Sequence, residues 1–209
     1  LCVLMAVLSV SALAQRRPDV KPTVQGILFL PVALGNPIFD NLTAVLGQVE
    51  GSFQLPVYKG FGAGVGVNAT WYELNEFGLS SQVPTDGDVR RMLYFAKLNW
   101  TRYTGNSTFL EFSTKLGQST WAWNCRSCTE NERQSGFHWG LNAAWSVHAT
   151  DNLAFGLSLG YEQDATRFSP GVIGLDRFPG RTDTGAPYHF LTVGLGFSTS
   201  FRKLKDEVW

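Results

Sequence analysis

Apolar and polar side chains alternate along most of this chain with a period of two. Val45, Val49, Phe53 and Leu55 share one parity, while Gln48, Glu50 and Ser52 share the other. Trp139, Leu141, Ala143, Trp145 and Val147 alternate with His138, Gly140, Asn142, Ser146 and His148. The same rhythm holds over 61–72, 92–101, 110–117, 153–162 and 191–201. A period of two is the mark of extended backbone, whose successive side chains point to opposite faces of a sheet. Seven strands follow, and 24–34 makes an eighth. That segment is apolar on both parities and carries Pro31, which a strand tolerates near its end or at a bulge. Short links (56–60, 102–107 and 149–152) separate the strands in turn with long polar ones (35–43, 74–89, 119–135 and 163–188). The fold predicted is all-β, an antiparallel up-and-down barrel with short turns at one end and long loops at the other.

Which parity faces the core is decided by charge. In a water-soluble sheet the face opposite the apolar one is rich in Lys and Glu. Here it holds mostly Gly, Ser and Asn with scattered charges. Small polar residues suit the crowded lumen of a narrow barrel. The apolar parity then looks outward into lipid, where a Lys or Arg at mid-depth would cost about 2–4 kcal/mol. Lys97 and Lys115 avoid that by pointing inward, and the polar lumen set reads Gln48, Glu50, Asn68, Lys97, Asn99, Glu111, Lys115, Asn142 and Glu162. On the outward parity Phe53, Trp100, Trp145, Phe155 and Phe201 fall toward the short turns, and Trp71, Tyr94, Trp139 and Tyr161 toward the long loops. Trp139 and Trp145 stand roughly 20 Å apart along one strand at about 3.3 Å per residue. That nearly spans an apolar band of about 25 Å between two aromatic girdles.

Composition adds a compartment. Segment 1–14 is apolar and ends in the small-x-small pattern of Ala12 and Ala14, which reads as a cleaved export signal. A polar arm (15–23), a barrel (24–201) and a tail (202–209) follow it. The 17 basic and 17 acidic residues balance, so the chain has no electrostatic footprint for nucleic acid. Mean hydropathy near zero leaves no helical membrane span in the body of the chain.

Candidate chemistry is sparse. Gly62-x-Gly64-x-Gly66 lacks the spacing and the following helix of a dinucleotide loop, and its glycines sit on the lumen parity. Cys125 and Cys128 supply two ligands where a zinc site needs about four, and a loop disulfide formed on export suits them better. His138 and His148 both point inward, but from opposite ends of one strand, about 30 Å apart. His189 has outward parity. The Asn-x-Ser/Thr sites at Asn68 and Asn99 face the lumen, where no glycan fits. No catalytic residue, metal site or cofactor is predicted. A turn centred near Thr104 would set Lys97 opposite Glu111, while Lys115 would reach Glu50 or Glu162 only if barrel stagger brought those strands near.

The last strand, Leu191 to Phe201, has apolar residues at every second position and an aromatic end. It resembles the C-terminal assembly signal of outer-membrane proteins, although 202–209 follow where the aromatic is usually last. The whole mature chain is similar to small bacterial outer-membrane barrels of the OmpA/OmpX type, the outer membrane protein beta-barrel domain group. The resemblance implies a Gram-negative outer membrane, with long loops outside the cell and both termini in the periplasm. It implies contact with membrane lipid and lipopolysaccharide, and handling by the barrel-assembly machinery. The function expected is structural or surface-interacting. The alternatives are a narrow passive channel and, since some eight-stranded barrels act on lipid A, a lipid-modifying enzyme. No His-x-Ser-Asn pattern supports the last.

Overall fold

The computed structural model describes residues 21–75, 87–105, 107–125, 133–150, 152–168, 170–173 and 186–201. Eight strands form in chain order: β1 Thr23–Leu34, β2 Thr43–Tyr58, β3 Phe61–Leu74, β4 Gly87–Tyr103, β5 Thr108–Cys125, β6 Arg133–His148, β7 Leu153–Phe168 and β8 Ala186–Ser200. One short helix, α1 (Pro37–Leu42), follows β1, and a 3-10 turn (Pro170–Ile173) follows β7. Each strand pairs antiparallel with the next, and β8 returns to β1, closing the barrel. Thr23 stands opposite Ser200 and Leu34 opposite His189 along that seam. Closure leaves no sheet edge, as a backbone in hydrocarbon requires.

The side chains follow parity. Leu28, Leu30, Val65, Leu98, Leu141, Leu157 and Leu195 are exposed on the outer face, each at more than half of its full accessibility. Gln25, Gln48, Glu50, Asn68, Lys97 and Lys115 are buried inside. An outside this apolar around a charged inside is stable only where the surrounding medium is lipid. Among the described residues no helix is long and apolar enough to cross a membrane.

The hairpins are longer than the alternation predicts. β4 starts at Gly87, β5 runs to Cys125, β6 starts at Arg133, β7 runs to Phe168 and β8 starts at Ala186. These extensions occupy much of the expected loops because the pattern continues there with its sign reversed. Glu73, Arg90, Gln118, Asn124 and Arg167 face out, while Tyr72, Val89, Trp121, Trp123, Phe168, Tyr188 and Phe190 are buried within. Segment 35–43 is likewise no simple loop. Asn36 caps α1, its Oδ1 accepting from Phe39 N at 3.1 Å, with Pro37 at the first helical position.

The β4–β5 turn also differs from expectation. Thr104 and Gly105 N–H both donate to Thr108 O, and Tyr103 faces Phe109. The reversal is therefore centred beyond Thr104. Lys97 stands opposite Lys115 and Glu111 opposite Thr101, so Lys97 and Glu111 are not a direct cross-strand pair. At the β2–β3 turn, Lys59 (φ 46°) and Gly60 (φ 88°) form a tight two-residue link. A Cβ on Gly60 would lie 2.5 Å from Thr101 O, so the link admits no side chain there.

Candidate functional site

The lumen holds three layers. At the loop end, Phe39 of α1 drops into the mouth of the barrel and is 1% exposed. Its ring meets Tyr72, Trp121, Trp123, Phe168, Tyr188 and Phe190 edge-on, at centroid distances of 5.2–6.2 Å. Edge-to-face contact suits aromatic quadrupoles, so one ring plugs a ring of rings. Trp121 and Tyr188 stack beneath at 4.2 Å.

Below the plug lies a network of buried charge. Arg91 grips Asp164 through Nε (2.9 Å) and Nη2 (3.2 Å), and reaches Glu162 through Nη1 (2.9 Å). Trp121 Nε1 donates to Asp164 at 2.9 Å, and His138 Nδ1 lies 2.7 Å from the same carboxylate. The guanidinium also sits 5.7 Å from the Trp121 ring and 5.6 Å from that of Phe190, joining the ionic layer to the aromatic one. Lys115 Nζ donates to Glu50 at 2.5 Å and stands 3.6 Å from Glu162. Asn68 Nδ2 donates to Glu50, and Gln48 Nε2 to Glu162. Phe29 and Phe95 flank the ammonium at 5.1 and 5.3 Å. Those two rings fill the space over Gly194 and Gly66, where a Cβ would collide with them.

A second network lies nearer the short turns. Lys97 Nζ donates to Glu111 at 2.7 Å and to Gln25 Oε1 at 2.6 Å, while Gln25 and Gln54 donate to the other Glu111 oxygen. Lys97 thus reaches Glu111 diagonally. Asn99 lies below this layer, and Asn142 stands apart, accepting from Ser158 Oγ at 2.7 Å. All nine residues of the sequence-derived lumen set are buried. Seven of them, all but Asn99 and Asn142, fall into the two networks described.

Arg91, Asp164, Trp121, Gln25 and Gln54 belong to the same site and escaped the sequence reading. Arg91 lies just before the alternating stretch that begins at Met92, and Asp164 and Trp121 fall in segments read as loop. Trp121 is signalled by the inverted parity above the belt, whereas Arg91, Asp164, Gln25 and Gln54 keep the polar-inward parity of their own strands.

The nine girdle aromatics all sit on the outer wall. Phe61, Trp100 and Phe112 neighbour one another at the short-turn end, at 6.4 and 6.1 Å. At the other end Trp139 donates to Gln163 and Tyr161 OH lies 2.7 Å from His189 Nδ1. The three histidines do not converge: His138 is in the Arg91 cluster, His148 stacks on Tyr103 at the opposite end, and His189 is outside. Among the described residues no group of His, Cys, Asp and Glu is placed to hold a metal. Cys125 is disulfide-bonded, and Cys128 lies outside the described residues, as do 1–20 and 202–209.

The architecture resembles that of small bacterial outer-membrane barrels. The fold is similar to the crystal structure of Neisserial surface protein A (TM-score 0.54, 12% identity, covering 86% of this chain and 97% of that one). It is also similar to the outer membrane protein OprG from Pseudomonas aeruginosa (0.54, 9%, 88% and 97%). A major outer membrane protein from Thermus thermophilus gives a further match (0.54, 10%, 86% and 99%). No family model and no curated protein matches the chain. What is shared with these structures is the fold.

Proposed function

We propose that the chain is an integral outer-membrane protein of a Gram-negative bacterium, akin to the OmpA/OmpX type, with a structural and surface-interaction role. The observation that carries this reading is the filled lumen. An aromatic plug lies over two self-paired charge networks, so the cross-section is occupied by side chains, as an eight-stranded barrel tends to be. Such a barrel anchors hairpins in lipid and does not conduct. In this reading the long hairpins are extracellular and both ends of the chain are periplasmic. The outward aromatics rest at the headgroup levels. Outer-membrane lipid and lipopolysaccharide surround it, after delivery by the assembly machinery.

Planar-bilayer recording tests the filled lumen. The native barrel should show no unitary conductance, and steady ion-sized openings would favour the passive-channel reading instead. Orientation is tested on whole cells with Thr120→Cys and Thr150→Cys. An impermeant maleimide should label the first and spare the second, and the reverse pattern would invert the topology. The partner of Cys125 in this reading is Cys128. Mature exported protein should then offer no alkylatable thiol until reduced, and two free thiols would remove the bridge.

A further inference from the structure

We propose that the short-turn end of the barrel carries a binding site for an acidic saccharide. A cavity of about 850 Å³ opens there beneath the Lys97–Glu111 layer. That size lies within the range of roughly 300–1,000 Å³ typical of small-molecule sites. Its floor is made by Gln54, Asn99 and Glu111, all more than nine-tenths buried. Glu111 is committed to Lys97, Gln25 and Gln54. Gln54 Oε1 and Asn99 Oδ1 are buried without a hydrogen-bond partner among the described residues. Buried acceptors left open call for donors, which a polyhydroxylated ligand supplies in number.

The walls narrow the class. On one side Tyr103 and His148 stack in parallel (6.0 Å, 3°), with Phe109 at 5.6 and 5.0 Å from them. Flat ring faces accept the C–H face of a pyranose, which water filling the cavity would leave unused. On the other side Ser198 and Ser200 present hydroxyls. Lys21 and Lys59 contribute positive charge to the lining. That field draws a carboxylate and repels an amine, the other obvious bearer of donors. A hydroxylated ring bearing an acid satisfies acceptors, ring faces and cations together.

Only the source of the ligand rests on the orientation proposed above, which would open this cavity to the periplasm and hence to cell-wall glycan. Binding itself does not, because a nanodisc exposes both ends. The full mature chain in phosphatidylcholine nanodiscs is titrated calorimetrically with three disaccharides. These are N-acetylglucosamine–N-acetylmuramic acid, glucuronic acid–N-acetylglucosamine, and neutral diacetylchitobiose. At least one acidic sugar should bind saturably and ten-fold or more tighter than chitobiose. Preference for the muramic form assigns the cell wall as source, and preference for the uronic form assigns another acidic glycan. Asn99→Leu and Tyr103→Ala should each weaken binding ten-fold or more, and Lys59→Gln two- to three-fold. In the native chain, which needs no variant to fold, the bound sugar should slow acylation of Lys59. Absence of saturable binding, equal binding of chitobiose, or unchanged Lys59 acylation at saturating sugar would each overturn the proposal.

Discussion

On β6, Leu141 faces out and Asn142 faces in; on the upper part of β5, Thr120 faces out and Trp121 faces in. Both segments are the same twisted ladder, yet their interiors are opposite in kind. In the belt, the outside is apolar and the inside holds Lys97, Glu111, Lys115 and Glu50. In the loop-end tier, the outside is polar and the inside is a cluster of Tyr, Trp and Phe. The sign of the pattern is set by the medium outside, not by the strand. Where lipid surrounds the barrel, the interior must neutralise its own charge. Where water does, the interior is an ordinary aromatic core. Arg91 lies at the junction, paired with carboxylates and with rings at once.

The largest effect should come from breaking that junction. Arg91→Met strands Glu162 and Asp164 without their shared cation, and removing one partner of a buried pair costs about 3–5 kcal/mol. The urea midpoint of the folded, heat-modifiable barrel should fall accordingly. A midpoint within error of the native one would show the cluster to be solvated. Next, Leu141→Arg should cost about 2–4 kcal/mol and deplete folded protein. Thr120→Arg, on the same face of the wall but in the upper tier, should stay within about 0.5 kcal/mol. Equal tolerance of the two would erase the distinction between tiers.

Lys97→Met should destabilise the barrel, and adding Glu111→Gln should recover part of the loss. The pair's interaction energy should fall in the range of about 0.5–3 kcal/mol, read from a double-mutant cycle in urea. Strict additivity would mean the diagonal contact is not energetically coupled. Smallest is Asn36→Ala, which removes the cap of α1 and should cost about 1 kcal/mol. Because that helix carries only the plug, the loss should appear as faster amide exchange near Phe39 before any change in the urea midpoint. A shifted midpoint with unchanged local exchange would place α1 inside the cooperative unit.

Much of this was legible in the sequence because a two-residue period leaves only two choices of face. Eight strands, closure and the inward set from Gln48 to Glu162 all follow from parity plus the rule that charge avoids lipid. What escaped did so for physical reasons. Trp121, Trp123 and Tyr188 fall in segments the alternation leaves as loops, because apolar means outward in the belt and above it that equation reverses. Phe39 was hidden because Asn36 and Pro37 read as a loop, although together they are also the start signal of a helix. The register that sets Lys97 opposite Lys115 is not legible, because parity fixes a face and not an offset. Only the Thr104–Thr108 hydrogen bonding supplies that.

The lumen pairs also bear on the order in which this barrel forms. Arg91 finds Asp164 across 73 residues, Lys115 finds Glu50 across 65, and Gln25 finds Glu111 across 86. None of these can be made within a single hairpin. A partly assembled sheet would therefore carry uncompensated charge on the very surface that must be sealed, in addition to an open edge at β1. Both defects are cured by the same event, the meeting of β1 with β8. Contacts of such high sequence separation form slowly. A chain lacking its final strand should stall at the membrane surface instead of entering as a smaller barrel.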